Sequence, residues 1–126
     1  MTNHEKLLYN KIKNLGDLFM AKWEQTFTGS FDALIKKIET GILQGSTSAS
    51  LEDSSDFIGT DARCSVRVFE RYSYTGGNRV SLSVTLFQAN GVIHLSAITA
   101  GGSQALFFKL NTFGEEAFLD KLRELF

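Results

Sequence analysis

The sequence predicts an α+β fold: an antiparallel sheet of about five to six strands packed on one face by helices, in the order α-β-α-β(4-5)-α. Three observations carry that prediction. Between Ala62 and Ala100, apolar and polar residues alternate in successive runs broken by glycine and asparagine turns, the pattern of half-buried strands joined as hairpins. Phe31, Leu34, Ile35, Ile38 and Ile42 recur at i, i+3, i+4, i+7 and i+11, the apolar stripe of a helix. The chain has 126 residues, 43% apolar and 21% charged, which is one globular domain's length and composition. It has eleven Phe and no Pro, so no imino acid interrupts the ladders of long strands.

From the N-terminus, Leu8, Ile12, Leu15 and Phe19 line one face of a helix over Asn3 to Met20, which Gly16 weakens. Residues 1–21 are thereby set apart as an amphipathic helix, packed on the domain or held out to a partner, and residues 22–126 form the α+β domain. Lys22 to Thr28 reads as the first strand, with Trp23, Gln25 and Phe27 on one side. Gly29 breaks it, Ser30 caps the next helix, Asp32 complements its dipole and Gly45 ends it as a cap. The Ser- and Asp-rich stretch from Ser46 to Asp61 predicts a weak strand over Thr47 to Glu52, buried through Ala49 and Leu51, and then a loop.

Ala62 to Tyr72 alternates strictly, placing Ala62, Cys64, Val66 and Val68 in the core and Arg63, Ser65, Arg67, Phe69 and Arg71 outside. Past the turn Ser73 to Asn78, the strand Arg79 to Ala89 buries Val80, Leu82, Val84 and Leu86 and exposes Ser81, Ser83, Thr85 and Phe87. Asn90-Gly91 is the dipeptide of a type I′ hairpin, which makes Val92 to Ala100 the antiparallel neighbour. After Gly101-Gly102, Ser103 to Leu110 reads as a last strand. The capping-box spacing of Thr112 and Glu115 then opens a helix to Phe126 with Phe118, Leu122 and Leu125 inward.

Thirteen Lys plus Arg against fourteen Asp plus Glu leave a net charge of −1, which argues against a nucleic-acid partner or an anionic membrane surface. No apolar run is long enough to span a bilayer, the first twenty residues do not resemble a signal peptide, and the single Cys forms no internal disulfide. A cytoplasmic location is expected. Cys64 alternates with valines, and only His4 and His94 exist to activate it, so it reads as a structural thiol. No CxxC, HxxxH or HExxH occurs, and Glu52, Asp53, Asp56 and Asp61 lack calcium-loop spacing, so no catalytic residue, metal or cofactor is expected and no enzyme. Phe27, Phe31, Phe107, Phe108, Phe113, Phe118 and Phe126 read as core side chains.

What remains is the polar sheet face. Arg63, Arg67 and Arg71 share it with Phe69 and, on the next strand, Phe87, together with Ser81, Ser83 and Thr85. Arginines among aromatic rings can hold an anionic ligand or a partner protein, or lie along the rings as a solvated face. The expectation is a non-enzymatic binding or self-associating module that uses this face, its partner a protein or a second copy. The alternative is a carrier of a small hydrophobic ligand.

The segments RVFERYSYTGGNRVSL and SAITAGGSQALFFKLNTFGEE, within Met20 to Phe126, resemble an uncharacterised family of small bacterial hypothetical proteins. That resemblance implies no activity, carries over no catalytic residue, and leaves Asn3 to Phe19 outside the shared part. The order strand, helix, four strands, helix is similar to TATA-box-binding-protein-like and helix-grip folds, the latter including START and Bet v 1 lipid-binding proteins. This is a likeness of topology, and topology does not fix function.

Overall fold

Asn90 and Gly91 take positive φ, 54° and 76°, so the predicted type I′ turn forms, and its twist matches that of the strands it joins. This hairpin is the centre of the computed structural model, which describes residues 2–6, 20–72, 79–101 and 108–126. The elements are β1 (Met20–Phe27), α1 (Phe31–Gly45), β2 (Ser50–Ile58), β3 (Ala62–Tyr72), β4 (Arg79–Ala89), β5 (Val92–Gly101) and α2 (Phe108–Arg123). The five strands form one antiparallel sheet in the order β1-β5-β4-β3-β2, so the α+β class and the antiparallel architecture hold. At the N-terminus, Thr2 and Glu5 form a reciprocal capping pair in front of a helical turn at residues 3–6. Residues 7–19 of the expected N-terminal helix lie outside the described residues, and its last positions, Met20 and Ala21, belong to β1 instead, where they pair with Ala100 and Thr99 of β5.

Both helices lie on one face. α2 covers β5, β1 and β4, and α1 runs beside it toward β3 and β2. Ser30 caps α1 as expected, its Oγ accepting from the Ala33 N–H at 3.1 Å, but the C-cap is the extended Ser46, not Gly45. Just past the end of α2 the chain packs on α1, where a Cβ on Gly41 would collide with the Leu125 methyl groups. Phe31, Leu34, Ile38 and Ile42 from α1 and Phe118, Leu119 and Leu122 from α2 close over Val80, Leu82, Val84 and Leu86 of β4 and Ile93, Leu95 and Ala97 of β5. Trp23 and Phe27 of β1 are half-buried against Phe126, whose ring centroid is 4.7 Å from that of Phe27.

Three expectations are corrected. The acidic stretch after Ser46 is a full edge strand, β2, through Ile58, with a bulge between Leu51 and Asp53. Strand propensity yields here to context: β3 supplies the ladder, and an edge strand tolerates Ser and Asp because one side of it faces water. Leu51, expected to be buried, is exposed. Next, Phe108 to Leu110 begin α2, so the last strand expected over Ser103 to Leu110 is not one at its end, and the helix starts before Thr112. Residues 103–107 lie outside the described residues.

The third correction decides the site. In β3 the two faces are exchanged relative to the expectation. Phe69 is paired with Leu82 and Ser65 with Leu86, so the odd-numbered residues of β3 share the helix-covered face with the even-numbered residues of β4. Phe69 is 0% exposed, and Ser65 and Arg71 are buried, whereas Ala62, Cys64, Val66 and Val68 are half-buried on the opposite face. A change of one residue in register moves every side chain of a strand to the other face.

Candidate functional site

The constellation expected on one face is divided between two. Arg63, Arg67 and Arg71 of β3 point at α1, spaced four residues apart, and meet α1 at Asp32, Glu39 and Ser46, spaced seven apart. Four residues of strand rise about 13 Å and seven of helix about 10 Å, so the two spacings keep step. Arg63 Nη2 lies 2.6 Å from Asp32 Oδ1 with its guanidinium over the Phe31 ring. Arg67 Nε donates to Glu39 Oε1 at 2.7 Å and its Nη2 to Asp56 of β2 at 3.0 Å. Arg71 donates to Ser46 Oγ at 2.7 Å and lies over the Phe118 ring.

These pairs set the local electrostatics. The hydrogen bond and charge of Arg63 hold Asp32 below the usual carboxylate range, and the Ser65 hydroxyl and then Arg67 do the same for Asp56. Partial burial works against the charge on Arg67, but Glu39 and Asp56 more than offset it and raise its pKa. The arginines bind the helix to the sheet, and Phe69 fills the core between them. A guanidinium fork bonded on two sides is internal structure, with little left to offer a ligand.

Sequence reasoning missed a second buried polar group. Glu115 of α2 is 1% exposed, and neither carboxylate oxygen has a well-formed hydrogen bond among the described residues. Burial pushes its pKa up to about 7, although the approaching Gly101 amide pulls the other way. Its Oε1 sits 2.7 Å from where a Cβ on Gly101 would stand, so that glycine is needed for close approach. Beside it, the buried Thr99 Oγ1 lies 3.2 Å from the Glu115 carbonyl oxygen. The capping-box spacing suggested a helix start here; only the tertiary fold reveals a carboxyl in the core.

Phe87 alone of the expected site residues lies on the sheet face away from the helices, 44% exposed. The registers line that face up in rows. One row crosses the whole sheet as Phe57, Cys64, Phe87, His94 and Thr26. Phe57 is 63% exposed, and the Phe87 and His94 rings stack with centroids 6.4 Å apart. Phe87 therefore stands between Cys64 and His94, two strands apart, and the one thiol has no imidazole beside it. The following rows are Ser55-Val66-Thr85-Ser96-Glu24 and Asp53-Val68-Ser83-Ile98-Lys22.

The centre of the face is small and uncharged. Its charges stand at the margins: Lys22 with Glu24 at 3.1 Å on β1, and Arg79 paired with Glu70 and, at 2.8 Å, with Glu52. Among the described residues no three His, Cys, Asp or Glu side chains group as a metal site would require, and no helix is long and apolar enough to cross a membrane.

The family of unknown function DUF6054 matches residues 20–126, and the chain belongs to it. None of the curated proteins matches the chain. Among solved structures it is similar to the Ran-binding protein Mog1p of Saccharomyces cerevisiae, at 10% identity and a TM-score of 0.45, over 86% of this chain and 68% of that one.

Proposed function

We propose that this member of the family is a non-enzymatic, cytoplasmic binding module whose protein partner docks on the sheet face opposite the two helices. One observation carries the reading: among the described residues that face has no covering element, and its centre of Val66, Val68, Ser83, Thr85, Ser96 and Ile98 is free of charge. Exposed Phe57 and Phe87 stand at one end and ion pairs at the margins. Protein interfaces share this anatomy, with charge depleted at the centre, aromatic residues enriched and a polar rim. Ser83, Thr85 and Phe87 of β4 lie on this face, whereas Arg63, Arg67 and Arg71 of β3 lie on the other, against α1 and its C-cap.

Cys64 reports on the face. Its labelling by a thiol reagent is to be compared in cells and in dilute purified protein, against Ser54→Cys on the exposed edge strand in a Cys64→Ser background. A docked partner slows Cys64 labelling several-fold in cells and leaves the control unchanged. Equal rates in both settings would overturn the reading.

A further inference from the structure

We propose that the partner on this face is a second copy of the chain, packed sheet against sheet about a two-fold axis running along β4. The inference rests on the docking face argued above and names its occupant. β4 is the middle strand of five, so an in-plane axis along it lays β1 over β2 of the second copy, β5 over β3, and β4 on itself. Such a contact is isologous and closes at two subunits.

The rows match under that rotation. Lys22 comes opposite Asp53 of the second copy, and Val68 opposite Ile98, while Ser83 and Phe87 each meet their own equivalents. Each lateral margin therefore sets a cation against an anion, and at the end of β4 Arg79 meets its own equivalent with Glu52 and Glu70 beside each guanidinium. The other in-plane axis, across the strands, would lay β2 on β2 and set the acidic margin of Glu52 and Asp53 against the same margin of the second copy. Small side chains along the axis let two sheets approach to the usual separation of about 10 Å. Five strands at about 4.8 Å by some nine residues at about 3.4 Å give roughly 700 Å² per copy, about 1,400 Å² in all, within the range of stable interfaces. A net charge of −1 opposes association little. The face lies wholly within residues 20–126, the part the family shares, so a copy of that domain suits it better than the residues that precede it.

Sedimentation of the purified chain from about 1 to about 200 μM should show its mass rise toward twice 14.0 kDa. Ser83→Cys in a Cys64→Ser background should be joined to its copy by a short bifunctional thiol cross-linker that spans about 10 Å, the separation of packed sheets, and Ser54→Cys should not. Lys22→Asp should weaken the dimer about tenfold, and adding Asp53→Lys to the same chain should restore it. A monomer throughout with no preferential cross-link overturns the second copy as occupant, and failure of the charge swap to rescue overturns the axis. Removal of residues 1–19 that alone turns a monomer into a dimer would make that segment the occupant instead. In each case protection of Cys64 in cells still tests the docking face separately.

Discussion

Phe69 and Phe87 look alike in the sequence, each an aromatic residue at an outward-looking position of a strand, yet they have opposite fates. Phe69 is fully buried, so Phe69→Ala should cost about 3–5 kcal/mol in urea denaturation. Phe87→Ala should cost less, about 1 kcal/mol, because its ring is a surface group 44% exposed and leaves no closed cavity behind. Glu115 carries a second expectation at this scale. Its pKa is raised in the fold to about 7 from 4.5, so the native state prefers the protonated form. Its contribution is most favourable below about pH 4.5, declines as the pH rises through 7, and is level above that. Glu115→Gln should flatten the dependence between those limits and gain up to about 3 kcal/mol at pH 8. Thermal melts at pH 5 and pH 8 measure both, and an unchanged slope would show that the carboxyl is not held neutral.

The arginine ladder belongs to the scale of elements, since it joins one strand to one helix. Arg67→Met removes bonds to Glu39 and Asp56 together and should cost about 2 kcal/mol, read by denaturation. It should also loosen α1 and β2 at once. Where the chain just past α2 packs on α1, Gly41→Val places branched carbon against Leu125 and should cost about 1–3 kcal/mol, with α1 and α2 losing amide protection together. The turn is a third element with a definite requirement. Gly91→Ala forces a Cβ into positive φ and should cost about 1–2 kcal/mol.

Across the whole molecule, protection should follow the layers. β4 and β5 lie inside the sheet beneath α2, and their amides should exchange slowest. β2 is an edge strand with Phe57 and Ile58 in water, so its amides should exchange fastest of the five strands. On the dimer proposed here, β1 and β2 should gain protection with concentration. Hydrogen exchange at low and high concentration checks both expectations, and protection of β2 equal to that of β4 in dilute protein would contradict the first.

The alternation in β4, the Asn90-Gly91 turn and the stripe of α1 were legible because each is a local pattern read within a dozen residues. They gave the fold class and most of the core. The site was not legible in the same way. Which face of β3 turns inward depends on its register against β4, and a one-residue difference between the two strands inverts it. Local apolarity favoured the valines, but α1 presents Asp32, Glu39 and Ser46 in step with the arginines, and those long-range pairs fix the opposite answer. β2 likewise exists only because β3 lies beside it. Composition and periodicity settled the elements, since helix and strand propensity act between neighbours in sequence. Pairing across the sheet settled which surface was left for a partner, since register joins residues far apart in the chain.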